Sequence, residues 1–350
     1  MRATIHDVAE ASGVHISTVS RTFSAPHLVK EETRHRVLLT ADSLGYRPNR
    51  AASSLITGKT HNIALIVADI ANPFFAPMIK AAESQARLRD YNIFVAETDE
   101  DPGVEEDLAR ALAKQVDGVQ LCSPRMSNVQ IEKLSQEMPV VVVNRLVTGL
   151  PCVLMDVASG ARSALEHLAG LGHRDIALLG GPRGSWTSRE IGRSAAAAAR
   201  RLGVTLTVLG PNPPTVEGGY ASAERAVREG VTAVLAYNDL VAIGLIEGLE
   251  AQQVVVPTDV SVVGIDNIEM AQRIRPKLTT VANPTSAAGR TAVDMLLQLG
   301  DDRTTTAQVT LQTELIVRDS TGPGPHAKEQ SATEGRGRRR GRRRTEMRKM

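Results

Sequence analysis

At 350 residues the chain exceeds one ordinary core and is long enough for two or three. Hydrophobic residues make up 42% of it but aromatic residues only 3%, which calls for an interior of Ala, Val, Leu and Ile, as in helices packed on parallel strands. Its apolar runs fall far below the roughly 20 residues that span a bilayer, no signal-like run follows the start, and Cys122 and Cys152 lack metal-ligand spacing. A soluble cytoplasmic protein with no metal and no cofactor is expected. The net charge of +2 hides an asymmetry: 8 Lys+Arg against 5 Asp+Glu over 1–60, 10 against 3 over 322–350, and hence −8 in between. Basic ends favour nucleic acid, and an acidic middle stays off it.

The first 45 residues read as three short helices. Thr4 is a good N-cap for the first, and Ile5, Val8, Ala9 and Ser12 share one face. Gly13 marks a tight turn. A second helix is expected from about His15 to Phe23 with Val19 inward. A third starts near Glu31, buries Val37, Ala41 and Leu44, and ends at Gly45. Pro48 then opens a segment of about two turns, too short to persist as an isolated helix; it should form when something holds it. From His61 short β-rich runs alternate with helical stretches, at 63–68, 93–96, 118–121, 140–143, 176–179, 204–209, 233–236 and 261–265. This is the pattern of parallel α/β sheets, and about 260 residues of it imply two linked subdomains. No internal repeat is evident. The tail holds seven arginines between Arg336 and Arg344, and disorder is expected there. The domains are drawn at 1–60, 61–320 and 321–350.

The stretch from Thr4 to Arg21 carries the strongest signal. A helix-turn-helix needs a small residue where its helices cross, a glycine at the turn and apolar residues locking the second helix; Ala9, Gly13, Val14 and Val19 supply them. The second helix then presents Ile16, Ser17 and Arg21 to the major groove, Arg21 matching guanine and Ile16 a thymine methyl. Thr4, Thr18, Ser20 and Thr33 are candidates for phosphate contacts. The alternative is a generic three-helix bundle.

These residues make the chain resemble the LacI/GalR family of bacterial transcription regulators. The resemblance rests on Thr18-Val19-Ser20-Arg21, Pro26-His27-Leu28-Val29, Glu31-Glu32-Thr33-Arg34 and Leu44-Gly45-Tyr46-Arg47-Pro48-Asn49. Further on it rests on Asn72-Pro73-Phe74-Phe75, Asn238-Asp239, the run from Asp259 to Asp266, and Leu278-Thr279-Thr280-Val281, so that it covers about residues 3–318. It implies a homodimer on double-stranded operator DNA, and a hinge helix that orders there. Leu55 sits at the family's minor-groove wedge position, with Asn49 and Ala52 on the matching face. It also implies a two-subdomain, periplasmic-binding-protein-like core of parallel sheets that binds a small-molecule effector, such as a sugar or related metabolite, in its cleft. By position, Phe74 and Phe75 line one wall, Asn238 and Asp266 lie at strand ends, and Trp186, Thr187 and Arg145 add contacts. Phe74 and Phe75 as plain core, and Asp266 as a helix cap, are the alternatives.

Two departures stand out. The family's Ser at the start of the reading helix is His15, an imidazole that caps less well and leaves that end weaker or free to meet phosphate. The family's effector-gripping stretch is Arg189-Glu190-Ile191-Gly192-Arg193 here. Arg189 keeps the grip, unless Glu190 holds it away and Arg193 or Arg145 takes the role. Among rival functions, an enzyme finds little support: Gly180-Gly181-Pro182-Arg183-Gly184 lacks dinucleotide spacing and a Walker lysine. A transport binding protein would share the core but not the head, and a regulator that ignores ligands is a further alternative.

Overall fold

The computed structural model describes residues 3–47, 58–300 and 306–325. The chain divides into two compact units, the second beginning at Asn62. The first contains α1 (Ile5–Ser12), α2 (Ile16–Ser24) and α3 (Glu31–Ser43), with a 3-10 turn over Pro26–Leu28. Thr4 starts α1 through a capping box with Asp7, and Gly13, at φ 66°, ends it in the left-handed region where a side chain is disfavoured. Val8, Ala9, Val19, Val37 and Ala41 form its core. Leu44, expected there, is 40% exposed. The chain leaves the helical path at Gly45, φ 64°, and Tyr46 folds back instead, its ring 5.9 Å from that of Phe23.

The second unit is doubly wound twice over. Its first sheet is built from β1 (Asn62–Val67), β2 (Asn92–Glu97), β3 (Val119–Cys122), β4 (Val140–Val143), β5 (Cys152–Met155) and β11 (Gln308–Leu311), in the order β11-β5-β4-β3-β1-β2, all parallel. The second holds β6 (Asp175–Leu179), β7 (Thr205–Leu209), β8 (Ala233–Ala236), β9 (Ser261–Asp266), β10 (Thr279–Ala282) and β12 (Glu314–Ile316), in the order β12-β10-β9-β8-β6-β7, parallel except for β12. The sequence shows no repeat, yet the two sheets share one order, 2-1-3-4-5, which places a ligand crevice beyond the carboxyl ends of the strands. The eight expected strands are present within one residue at each end. β5, β10, β11 and β12 are additional: four residues or fewer each, β5 wholly apolar, β10 a pair of threonines followed by Val281 and Ala282, and β11 and β12 at sheet edges, they are too short to show a strand's alternation clearly.

Helices α4 (Phe75–Arg87), α5 (Pro102–Leu112), α6 (Asn128–Glu137) and α12 (Thr285–Leu299) cover the first sheet. Around the second lie α7 (Val157–Gly170), α8 (Trp186–Leu202), α9 (Val216–Ala221), α10 (Ala223–Arg228) and α11 (Asp239–Ala251). The chain therefore passes between the lobes three times, after β5, after β10 and after β11. The passages are packed together: Thr313 Oγ1 donates to the Asp156 carbonyl at 2.9 Å. A Cβ on Gly160 would come within 2.5 Å of Val281 and 3.0 Å of Thr313. One apolar cluster runs through both lobes, including Leu65 and Val141 from one sheet and Leu178 and Val263 from the other.

The core extends past the boundary drawn at 321. Gly322 is buried, its N–H held by Ser261 Oγ at 3.0 Å, and Gly324 donates to the Leu171 carbonyl at 2.7 Å. Glycine fits because a Cβ on Gly324 would lie 2.7 Å from Gly172 backbone. Among the described residues no helix is long and apolar enough to cross a membrane. Asn49, Ala52, Leu55 and the arginines from Arg336 to Arg344 lie outside the described residues.

Candidate nucleic-acid interface and ligand cleft

On the head, α2 is exposed or half-buried along most of its length. His15 does cap it: its Nδ1 accepts from the Ser17 amide at 3.3 Å and lies 2.9 Å from Ser17 Oγ. The imidazole expected to cap poorly thus stands in for serine, accepting from the second residue of the helix. Ser17 and Arg21 are exposed, whereas Ile16 is half-buried against the head core. Thr4 is committed elsewhere. Its amide and hydroxyl both reach Asp7 Oδ2, at 2.7 and 2.9 Å, and hold that carboxyl below its usual range. Ser20 is half-buried.

A concave surface beside α2 is lined by His15, Thr18, Arg21, Lys30, Thr33 and Arg36, among others. It joins three expected contacts, Thr18, Arg21 and Thr33, to two basic residues absent from the sequence reading. The missed signal is a spacing of three: Lys30, Thr33 and Arg36 share one face at the start of α3. Guanidinium, ammonium and hydroxyl groups on one concave wall suit a phosphate backbone.

In the second unit, five of the expected effector residues come together at the strand ends. Phe74 and Phe75 form an edge-to-face pair, centroids 4.9 Å apart, and share a cavity wall with Thr187, Asn238 and Asp266. Asn238 is largely spent: Oδ1 caps α11 at Val241 N and Nδ2 donates to the Pro214 carbonyl. The remaining wall comes from residues the sequence reading passed over, notably Asn72, Glu100, Arg125, Asn144, Tyr237 and Asn283. Most stand within three residues beyond the end of a strand, so the strand-end rule, applied to every strand, would have found them.

Three expected residues are placed elsewhere. Arg145 is buried and structural. Its Nη1 donates to the Pro124 and Met126 carbonyls at 3.0 and 2.6 Å and its Nη2 to Asn128 Oδ1 at 2.6 Å. Trp186 packs half-buried against the apolar cluster under the first sheet. Arg189 is exposed and reaches only the Arg183 and Gly184 carbonyls, each at 3.5 Å. Glu190 does not restrain it, since Glu190 pairs with Arg193 at 2.5 Å.

The cleft is closed on its own side chains. The cavity is about 30 Å³, room for about one or two waters. Arg125 and Glu100 line it as a bidentate ion pair. Four wall residues hold positive φ: Glu100 at 63°, Ser123 at 55°, Asn144 at 60° and Asp266 at 125°. Each such backbone costs on the order of 1–3 kcal/mol and is maintained by its surroundings. Burial, then the neighbouring Asp239 charge, push Asp266 well above the ordinary carboxylate range, against a hydrogen bond from Asn283. Burial raises Asp239 to about 6, opposed by the Thr280 hydroxyl.

Comparison with known proteins matches both units. The family described as "Bacterial regulatory proteins, lacI family" matches residues 4–49, and "Periplasmic binding protein-like domain" matches residues 165–321. The HTH-type transcriptional regulator RegA of Clostridium saccharobutylicum is 33% identical over 92% of this chain and 100% of its own length. Among solved structures, the lac repressor dimer bound to operator and the anti-inducer ONPF superposes with a TM-score of 0.83. It is 26% identical over 92% of this chain and all of that one. A LacI family regulator from Enterococcus faecium with bound ribose superposes with a TM-score of 0.68. It is 29% identical over 75% of this chain and 99% of its own.

Proposed function

Since the chain belongs to the lacI family of bacterial regulatory proteins and is a DNA-binding transcription regulator, we propose that it acts as a homodimeric repressor on a near-palindromic operator, its hold on DNA set by a small effector in the cleft. It works in the cytoplasm and has no catalytic role. The observation that carries the DNA reading is the joint presence of Thr18, Arg21, Lys30, Thr33 and Arg36 on one concave wall beside α2. Arg21 reads guanine, Ser17 and Ile16 complete the base contacts, and Lys30, Thr33 and Arg36 bind phosphate. Leu55, with Asn49 and Ala52, wedges the minor groove at the operator centre. The arginines from Arg336 to Arg344 add salt-sensitive affinity without sequence preference.

In the cleft, Phe74 and Phe75 offer ring faces and edges to an effector, and Asp266 binds its hydroxyls. Arg189 stands two residues beyond Thr187 with only long contacts to backbone, so its guanidinium is free to turn onto ligand oxygens. Arg189→Ala should cost roughly 1.5–3 kcal/mol of effector affinity, seen as a smaller ligand-induced rise in melting temperature than the parent shows. The function is tested by selecting bound duplexes from a random library. Two-fold related half-sites with a flexible pyrimidine–purine centre are expected. Single half-sites bound by monomers would overturn it.

A further inference from the structure

The cleft already holds a carboxylate. Nε and Nη2 of Arg125 meet the two oxygens of Glu100 at 2.5 and 2.9 Å, and Nη1 donates to the Ser123 carbonyl at 2.7 Å. The partners are not equally bound to the place. The guanidinium is 6% exposed and Glu100 25%. The backbone N–H of Arg125 is fixed by Glu105 at 2.7 Å, and a buried cation stripped of its partner is strongly destabilising. Glu100 comes from the loop after β2 with its backbone at φ 63°, and its carboxylate can return to water. Arg125 therefore stays and needs an anion, while Glu100 is replaceable.

Two further groups on the same wall lack partners. Asn144 is 5% exposed; its Nδ2 is spent on Ser123 Oγ at 3.0 Å, and its Oδ1 accepts nothing. Asn283 spends Nδ2 on Asp266 at 2.9 Å, and its Oδ1 is likewise buried without a donor. One follows β4 in the first lobe and the other follows β10 in the second. Buried acceptors are ordinarily satisfied, and these two ask for O–H donors from a molecule that spans both lobes.

We propose that the effector is a polyhydroxylated carboxylate, a sugar acid, whose carboxylate takes the place of Glu100 on Arg125 and whose hydroxyls donate to Asn144 and Asn283. The inference rests on reading the cleft as the effector site. Glu100 is then an internal competitor that keeps Arg125 neutralised and the cavity filled until ligand arrives. The exchange swaps one bidentate carboxylate for another, so the guanidinium is never left unpaired. A neutral sugar offers no such exchange and meets a cavity of about 30 Å³.

Titration calorimetry on the full chain tests this with hexuronates and hexonates against the matching neutral hexoses. The parent should bind an acid and not its neutral counterpart. Glu100→Gln, which removes the competing charge, should bind the acid at least tenfold more tightly. Its melting temperature should fall without ligand and be restored by the acid. Arg125→Gln should lose acid binding at least thirtyfold; if that variant does not fold, the gain in Glu100→Gln decides. Neutral hexoses binding the parent, and binding Glu100→Gln more weakly, would overturn the sugar-acid inference and leave the effector cleft standing. No binding of acid or neutral sugar to parent or Glu100→Gln, together with operator affinity unmoved by either, would overturn both.

Discussion

The head rests on five small buried apolar side chains and keeps the groups we propose to meet DNA, Ser17, Arg21, Lys30 and Arg36, on the outside. The core buries far more and keeps its working groups inside, where Arg125 holds Glu100, Asn283 holds Asp266, and four wall residues sit at positive φ. An exposed surface can be preformed at little cost, because water satisfies every polar group until the partner arrives. A buried one must satisfy itself in the meantime, and the cleft does so by pairing its own charges and closing on them. On the reading proposed above, the head is a preformed reader and the core a container occupied by its own substitutes.

The largest expected effect separates the two units. A Cβ on Gly244 would lie 1.8 Å from the Val216 carbonyl oxygen, where α9 and α11 run backbone against backbone. Gly244→Ala should destabilise the core by about 3 kcal/mol, the upper range for overpacking. Calorimetry should show the core transition lowered and the head transition unmoved; a shared shift would mean that the units do not melt separately. Next, Arg21→Ala should weaken binding to the selected operator by roughly 1–3 kcal/mol and relax one base position. Effector affinity should be unchanged, and a uniform loss across all duplexes would recast Arg21 as a phosphate contact. Smaller again, His15→Ala removes the cap of α2 and should cost the head about 1 kcal/mol, while His15→Ser recovers it. If alanine costs nothing, the ring does not hold the helix.

The last prediction concerns the sign of a pH dependence. Asp239, raised to about 6 from 3.8, binds its proton more tightly folded than unfolded. Its contribution to stability is fully present below the unfolded value and is lost as pH rises through about 6; Asp266, also raised, acts in the same direction. Asp7 in the head is lowered, so its contribution is present above its ordinary value of 3.8 and lost as pH falls below that. Between pH 7 and 5 the core should therefore gain urea resistance relative to Asp239→Asn, and the head should not follow. An identical slope in parent and variant would remove Asp239 from the account.

The same contrast explains what could be read in advance. Thr4, Gly13, Val19 and Arg21 act within one local motif, so spacing alone locates them. Phe74, Phe75, Thr187, Asn238 and Asp266 are reachable from strand ends and from family resemblance; Arg125 and Glu100 also follow strand ends, but nothing local shows that they pair. Their meaning comes from a partner 25 residues away in sequence and from burial that no local pattern reveals. Arg145 misleads for the converse reason: it follows a strand, as a ligand residue would, yet three acceptors between residues 124 and 128 hold its two terminal nitrogens. Leu44 keeps the helical periodicity but lies one residue past the end of α3, just before Gly45 turns the chain away.

The three passages of the chain between the lobes limit how the molecule can be dissected. No contiguous fragment contains one whole lobe without part of the other, because the first sheet needs β11 and the second lobe is entered after β5, left after β10 and entered again at β12. A gene truncated after β5 would encode a first sheet without its α12 cover, and one started at α7 would carry α12 and β11 with nothing to dock on. A protease that nicks one passage leaves the lobes tethered by the other two, with Thr313 still bonded to Asp156 when the cut falls after β10. The chain divides into its two compact units near His61, so head and core can be exchanged between proteins there, while the two lobes can only be exchanged together.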